Sequence, residues 1–312
     1  MTVDPSPAMP SAPPEPAPGA ASDWFELAKP GITALICLVA VAGFLIASPR
    51  SVDLLRLGLL VLTGGGASAG SGMLNHYLDR DVDPRMRRTR TRPLPAERVR
   101  PGWAVLLVGS AFVVIGIAAA AVWLNPLTAF SIFLGAGTYL GVYTVWLKRR
   151  SSWNIVIGGF AGSAPALAGA AAAVGSWTWG AVALAVLVFL WTPPHFWSLA
   201  LLLREDYAKA GLPMLPRMDD PAFSGKVVVV SAALLVVAGG LVGATGAIAW
   251  PVTVALLALG AGFVAVTAPL WREVSRPLAR RGFLFSGPYL LGVVAAVAAN
   301  AGLLRAGFSA GF

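Results

Sequence analysis

Nine long apolar stretches alternate with short polar ones along this chain. A hydrocarbon layer about 30 Å thick needs roughly 20 apolar residues of α-helix to cross it. Stretches of that length fall at about residues 30–48, 54–78, 103–122, 126–147, 154–174, 177–203, 227–247, 251–271 and 284–304. Turn-forming pairs separate several of them, at Ser48-Pro49, Asn125-Pro126, Gly175-Ser176 and Trp250-Pro251. The expectation is an all-α polytopic membrane protein with nine transmembrane helices. Runs of small residues, TGGGASAGSG at 63–72 and GGFAGSAPALAGA at 158–170, suit close helix packing in lipid.

Residues 1–22 break the pattern. They are rich in Pro, Ala and Ser and cannot build a core, so they are expected to form a disordered cytoplasmic tail ahead of a transmembrane domain at 23–312. The chain does not open on a basic region followed by a short apolar one, so no cleavable signal peptide is expected. Composition agrees with a membrane class: 57% of residues are hydrophobic and 12% charged, against about 25% charged in soluble domains. Cys37, the one cysteine, lies in an apolar run and excludes a disulfide framework.

Charge changes the picture more. Of the 23 Lys and Arg, all but Arg50, Arg56 and Arg305 lie before the first stretch or after the second, fourth, sixth and eighth. Those segments are therefore cytoplasmic. With nine spans in the cell membrane, the N-terminus is expected inside and the C-terminus outside. The formal charge of +9 records this asymmetry, and no nucleic-acid partner is expected. Half of the 14 acidic residues gather in two of the same loops, as Asp79, Asp81, Asp83 and as Glu205, Asp206, Asp219, Asp220. The positive-inside bias does not account for them.

The first of these loops belongs to the run NHYLDRDVDPRMRRTRTRP at 75–93. On a helix, Asn75, Asp79 and Asp83 share one face at four-residue spacing, and Arg88 and Arg92 repeat that spacing. The oxygens suit a hard divalent cation such as Mg²⁺, and the cation and guanidiniums together suit a diphosphate. A polar cluster this dense at a membrane helix end is a functional candidate. As helix-end acids, Asp79 and Asp83 are expected to matter little for packing. Lys148 adds a point charge. Asp206, just past the sixth helix, is placed to hold a second Mg²⁺. Arg80 and Asp81 are expected to pair in solvent, and the other arginines of the loop to face lipid headgroups. His76 is turned about 100° from Asn75 and is expected to be peripheral. His195 lies about 12 Å below the end of its helix at Leu203, beside Pro193-Pro194. A buried membrane histidine is a functional candidate.

The pattern N-x3-D-x3-D-x2-M-x-R-T-x2-R, from Asn75 to Arg92, resembles the signature of the UbiA-type intramembrane prenyltransferases. Val82 and Glu97 depart from it. The stretches YTVWLKRRSSWNIVIGGFAGSAPALAG (143–169) and FLWTPPHFWSLALLLREDYAKAGLPMLP (189–216) are similar to the haem-farnesylating branch of that family. The thin second acidic motif, Glu205-Asp206-Tyr207 with Asp219-Asp220, favours that branch over the one acting on aromatic acids or quinone precursors. The resemblance covers residues 24–300. It implies a nine-helix bundle around a central cavity open to lipid, with Mg²⁺, farnesyl diphosphate as donor and haem B as acceptor. The product would be haem O, which places haem A synthase or oxidase assembly proteins among its partners. Asn75, Asp79, Asp83 and Asp206 would hold metal, and Arg88, Arg92 and Lys148 the diphosphate. Tyr143, His195, Asp206 and Tyr207 would contact substrates, His195 on the haem side. Trp191, Phe196, Trp197 and Tyr207 are the aromatic faces for a carbocation. A transporter fits less well, because the charges sit at one membrane face. A non-catalytic haem-assembly factor leaves Asn75, Asp79 and Asp83 without a task.

Overall fold

A computed structural model describes residues 20–213 and 220–309. Residues 1–19 of the expected tail and Asp219 lie outside the described residues. Ala21 and Ser22, assigned to the tail, instead begin a short helix, α1 (Ala21–Leu27). Nine helical units among the described residues are long and apolar enough to cross a bilayer, one for each predicted stretch. They are α2 (Pro30–Ala47), α3 (Leu54–Leu78), α4 (Gly102–Trp123), and α5 (Pro126–Gly137) with its continuation Thr138–Leu147. Next come α6 (Asn154–Gly158) with α7 (Phe160–Val174), and α8 (Trp179–Leu202). After the short α9 (Arg204–Lys209) follow α10 (Pro221–Ala244), α11 (Trp250–Thr267) with a 3₁₀ turn to Trp271, and α12 (Arg276–Arg305).

Two helices start earlier than their hydropathy indicates: α10 at Pro221 instead of 227, and α12 at Arg276 instead of 284. In α10 the Asp220 carboxylate accepts the Phe223 N–H at 2.8 Å, and Pro221 supplies the fixed φ of a first helical turn. Lys226, Arg276, Arg280 and Arg281 then ride the first turns of these helices. Long basic stems carry their charges to the headgroups from there, so charge does not mark the helix end.

The small-residue runs bring backbones together. A Cβ on Gly43 of α2 would lie 2.1 Å from the Ala166 carbonyl oxygen of α7, and one on Gly169 would lie 2.1 Å from that of Ala40. Only glycine permits this crossing. The largest core cluster joins α8, α10, α11 and α12 and includes Trp191, Phe263 and Tyr289.

At the polar end of the bundle, α1 is pinned to the loop between α3 and α4. Arg98 pairs with the fully buried Asp23, and also donates to Glu26 at 3.0 Å and to the Thr91 carbonyl at 2.9 Å. Beneath that latch Leu27 packs with Met73, Val99 and Val105.

Candidate active site

A cavity of about 600 Å³ runs from this polar end into the bundle. Along α3 its wall is a stripe at three- and four-residue spacing: Leu60, Gly64, Ser68, Ser71, Asn75, Asp79. The stripe is small or apolar inside the bundle and turns polar only in the last turn. α3 ends at Leu78, so Asp83 is not on it as the spacing suggested; it opens a 3₁₀ turn, Asp83–Arg85. The Asp83 N–H still donates to the Asp79 carbonyl at 2.9 Å, a bond of helical span. That turn keeps both carboxylates facing the cavity.

Both carboxylates are buried, Asp79 at 0% and Asp83 at 2% exposure, which corrects the expectation of helix-end acids with little packing role. Burial demands partners. Lys148 pairs with Asp79 Oδ2, which also accepts the Asn75 amide at 3.0 Å. Arg92 Nη1 donates to both Asp83 oxygens, at 2.9 and 2.8 Å. Lys29 donates to Asn75 Oδ1, and to the Tyr139 hydroxyl at 2.9 Å. The Asn75 amide reaches Thr144 at 3.0 Å. Lys29 is held in the left-handed region at φ 49°, just before Pro30 starts α2. Burial, with Arg92 and Lys148 nearby, pulls its ammonium down to about 7, against the opposite pull of Asp79 and Asp83.

The fourth span supplies the facing wall. From Thr138 to Leu147 its backbone widens into a π-helix, and the Lys148 N–H donates to the Tyr143 carbonyl at 2.8 Å. Such widened turns recur at functional sites. This one brings Tyr139, Tyr143 and Lys148 to the cavity and Thr144 to Asn75. The Tyr139 and Tyr143 rings stack at 6.0 Å and 9°.

The donor set suits Mg²⁺. Asp79 Oδ1 is buried with no hydrogen-bond partner, beside a second buried carboxylate and an amide oxygen. Among the described residues no three His, Cys, Asp or Glu side chains converge. Mg²⁺ is commonly bound by one or two carboxylates, completing its shell with water and substrate phosphate.

Deeper in, α8 and α12 close the cavity around His195, Trp191 and Phe283. Arg88 and Tyr207 line it near the mouth, where burial pushes the Tyr207 phenol up while Arg88 and Arg92 pull it down. Nine of the ten residues expected to hold metal, diphosphate or substrate therefore face one cavity. Asp206 does not. It follows the helix break at Leu203, and lines a separate cleft of about 140 Å³ with Arg87, Arg204 and Arg276. Phe196 lines the cavity, whereas Trp197 packs beside Val82 and Met86. Arg149, not Arg80, binds Asp81, at 2.7 Å through each of two nitrogens. Arg80 instead covers the Tyr77 ring at 4.0 Å.

Sequence reasoning missed Lys29, Tyr139, Thr144 and His76. In the sequence Lys29, just before the first apolar stretch, counts only toward the basic bias of its segment. His76, expected at the periphery, is buried in the cavity wall, with Nδ1 unpartnered among the described residues. The α3 register signals it: His76 lies four residues after Gly72, which also lines the cavity.

The fold and this site define a prenyltransferase of the membrane: the chain belongs to the UbiA prenyltransferase family, whose profile matches residues 36–303. More narrowly, a protoheme IX farnesyltransferase of Sulfurisphaera tokodaii is 39% identical over 272 residues, 86% of this chain and 89% of that one. Among solved structures, a digeranylgeranylglyceryl phosphate synthase superposes with a TM-score of 0.74 at 18% identity, covering 90% of this chain and 98% of that one. A UbiA homolog from Archaeoglobus fulgidus, bound to GPP and Mg²⁺, superposes with a TM-score of 0.66 at 18% identity over 88% and 99%. At these identities the two structures speak for the fold.

Proposed function

We propose that this protein transfers the farnesyl group of farnesyl diphosphate to the vinyl group of protohaem IX, giving haem O. The observation that carries the reading is one continuous cavity joining the carboxylate–cation cluster to the aromatic pocket of His195. Likeness over most of the chain to a protoheme IX farnesyltransferase supports the choice of acceptor.

Asn75, Asp79 and Asp83 hold Mg²⁺, which supplies positive charge to the departing diphosphate. Arg88, Arg92, Lys148 and Lys29 bind the diphosphate oxygens, Arg through its fork and Lys as a point charge. The allylic C–O bond breaks and its electron pair leaves with the diphosphate. Tyr139 and Tyr143 offer stacked faces to the allylic cation, while burial excludes water from it. The vinyl group attacks the allylic carbon. Water then adds to the resulting haem-side cation and releases a proton, giving a hydroxyethylfarnesyl substituent. His195 is the haem-side contact. The enzyme resides in the cell membrane with its N-terminus and diphosphate site facing the cytoplasm, and it supplies haem A synthase or oxidase assembly proteins.

Mass spectrometry of haems extracted from cells with and without the protein tests this reading. Haem O should appear only with it, and the purified protein should need Mg²⁺. Unmodified haem together with prenylated 4-hydroxybenzoate would assign the enzyme to the aromatic-acid branch.

A further inference from the structure

The imidazole of His195 is clamped on three sides. Trp191, one turn earlier in α8, stacks on it at 4.4 Å and 18°. Phe283 of α12 covers it at 5.2 Å. At the ring edge, Nδ1 lies 2.6 Å from the Ser286 hydroxyl of α12. Ser286 is fully buried, and its carbonyl accepts the Trp191 indole N–H at 2.9 Å. One turn below, a Cβ on Gly282 would lie 2.9 Å from Ser198 Oγ, so α12 sits on α8 in a tight register.

The hydroxyl has one proton. Ser286 Oγ lies 2.5 Å from the Phe283 carbonyl oxygen. Two oxygens at that separation repel unless a proton lies between them, so the Ser286 proton is committed to Phe283. Ser286 Oγ can then only accept from His195, which puts the imidazole proton on Nδ1. In the neutral ring Nε2 keeps its lone pair, and His195 lines the cavity.

We propose that Ser286 is a positioning residue that holds His195 in the Nδ1–H tautomer, presenting an unprotonated Nε2 as the axial ligand of the haem iron. This rests on the haem-farnesylating reading above. An N–H donated to an oxygen fixes ring orientation and raises the basicity of a ligating imidazole. The stacking of Trp191 and Phe283 holds the ring plane. Ser286 thus orients the acceptor without touching the diphosphate half of the site.

The test uses detergent-purified full-length protein titrated with haem, without farnesyl diphosphate. Absorption and electron paramagnetic resonance report the axial ligand, and resonance Raman reports the ferrous iron–imidazole stretch. His195→Ala should lose the imidazole signature. Ser286→Ala should keep it but lower the stretching frequency and weaken haem affinity about tenfold. Ser286→Thr, which retains a hydroxyl, should restore both. Farnesyl diphosphate affinity should match wild type in all three. A Ser286→Ala protein with a wild-type stretch and affinity overturns the proposal, even if it melts at a lower temperature, because that pattern marks a packing role. An unchanged spectrum in His195→Ala overturns it as well. Both results leave haem farnesylation standing. A wild-type protein that binds no haem defeats the haem reading itself, and this inference with it.

Discussion

The Asp79 carboxyl has no solvent contact and pairs with Lys148, and the buried Asp83 pairs with Arg92. Removing one member of such a buried set leaves the others uncompensated, at a cost of about 3–5 kcal/mol. Asp79→Ala should therefore lose turnover and also melt at lower temperature, as scanning fluorimetry in detergent would report. Asp79→Asn keeps the shape and should mainly lose turnover, by about 10²–10³-fold, the usual effect of removing one charge-stabilising group from an active site. Wild-type rates in Asp79→Asn would remove it from the metal site. Arg92→Lys keeps the charge but loses the planar guanidinium and its additional donors. Its KM for farnesyl diphosphate should rise about tenfold, the worth of one charge-assisted hydrogen bond, with a further rise in Arg92→Ala. Lys29→Met should raise the same KM by a similar factor without changing haem affinity; an unchanged KM would confine Lys29 to a structural role. Asn75 and Asp79 were legible in the sequence because four-residue spacing on a helix defines a face, whereas Asp83, Arg88 and Arg92 lie past the helix end and were legible only as part of the resembling motif. Lys29 was not: it is 46 residues from its partner Asn75, and only the packing of α2 beside α3 brings them together.

At the scale of elements, hydropathy located all nine spans, because a lipid-facing helix must be apolar along most of its length. It misplaced the starts of α10 and α12, where basic residues belong to the helix but reach the headgroups. It gave no hint of the π turn, since TYLGVYTVWL reads as an ordinary apolar helix. Nor could it tell that Asp206 faces away from the cavity, because the break at Leu203 resets the helical register. The α2–α7 crossing was legible only as a run of small residues. Its tightness yields a firm expectation: Gly169→Val places side-chain carbon against the Ala40 carbonyl, which cannot move aside. Overpacking against backbone should cost about 4 kcal/mol or more and leave little folded protein. Gly302→Val, whose Cβ meets nothing within 4 Å, is the control and should express normally. Equal yields of the two would show that α2 and α7 can separate.

For the whole molecule, seven of the nine spans among the described residues lie between Arg90 and Ser309, an odd number that sets these two positions on opposite sides of a bilayer. With Cys37 replaced by Ser, a single cysteine at Ser309→Cys should react with a membrane-impermeant maleimide in intact cells, whereas Arg90→Cys should react only after permeabilisation. The reverse pattern would invert the proposed orientation.

The proposed reaction calls for a cavity that meets two solvents. Its charged end opens among Arg88, Arg92 and Glu26, while Ile32 of α2 lines the same cavity and is 57% exposed on the apolar flank of the bundle. For the proposed reaction, pyrophosphate then departs into water, and the farnesylated haem, more greasy than its precursor, departs into the bilayer. The two products never share a phase, so partition itself opposes the back reaction. The lipophilic product meanwhile accumulates in a thin film of fixed volume. In sealed proteoliposomes the rate should therefore sag as that film fills, and protein-free vesicles added late should revive it.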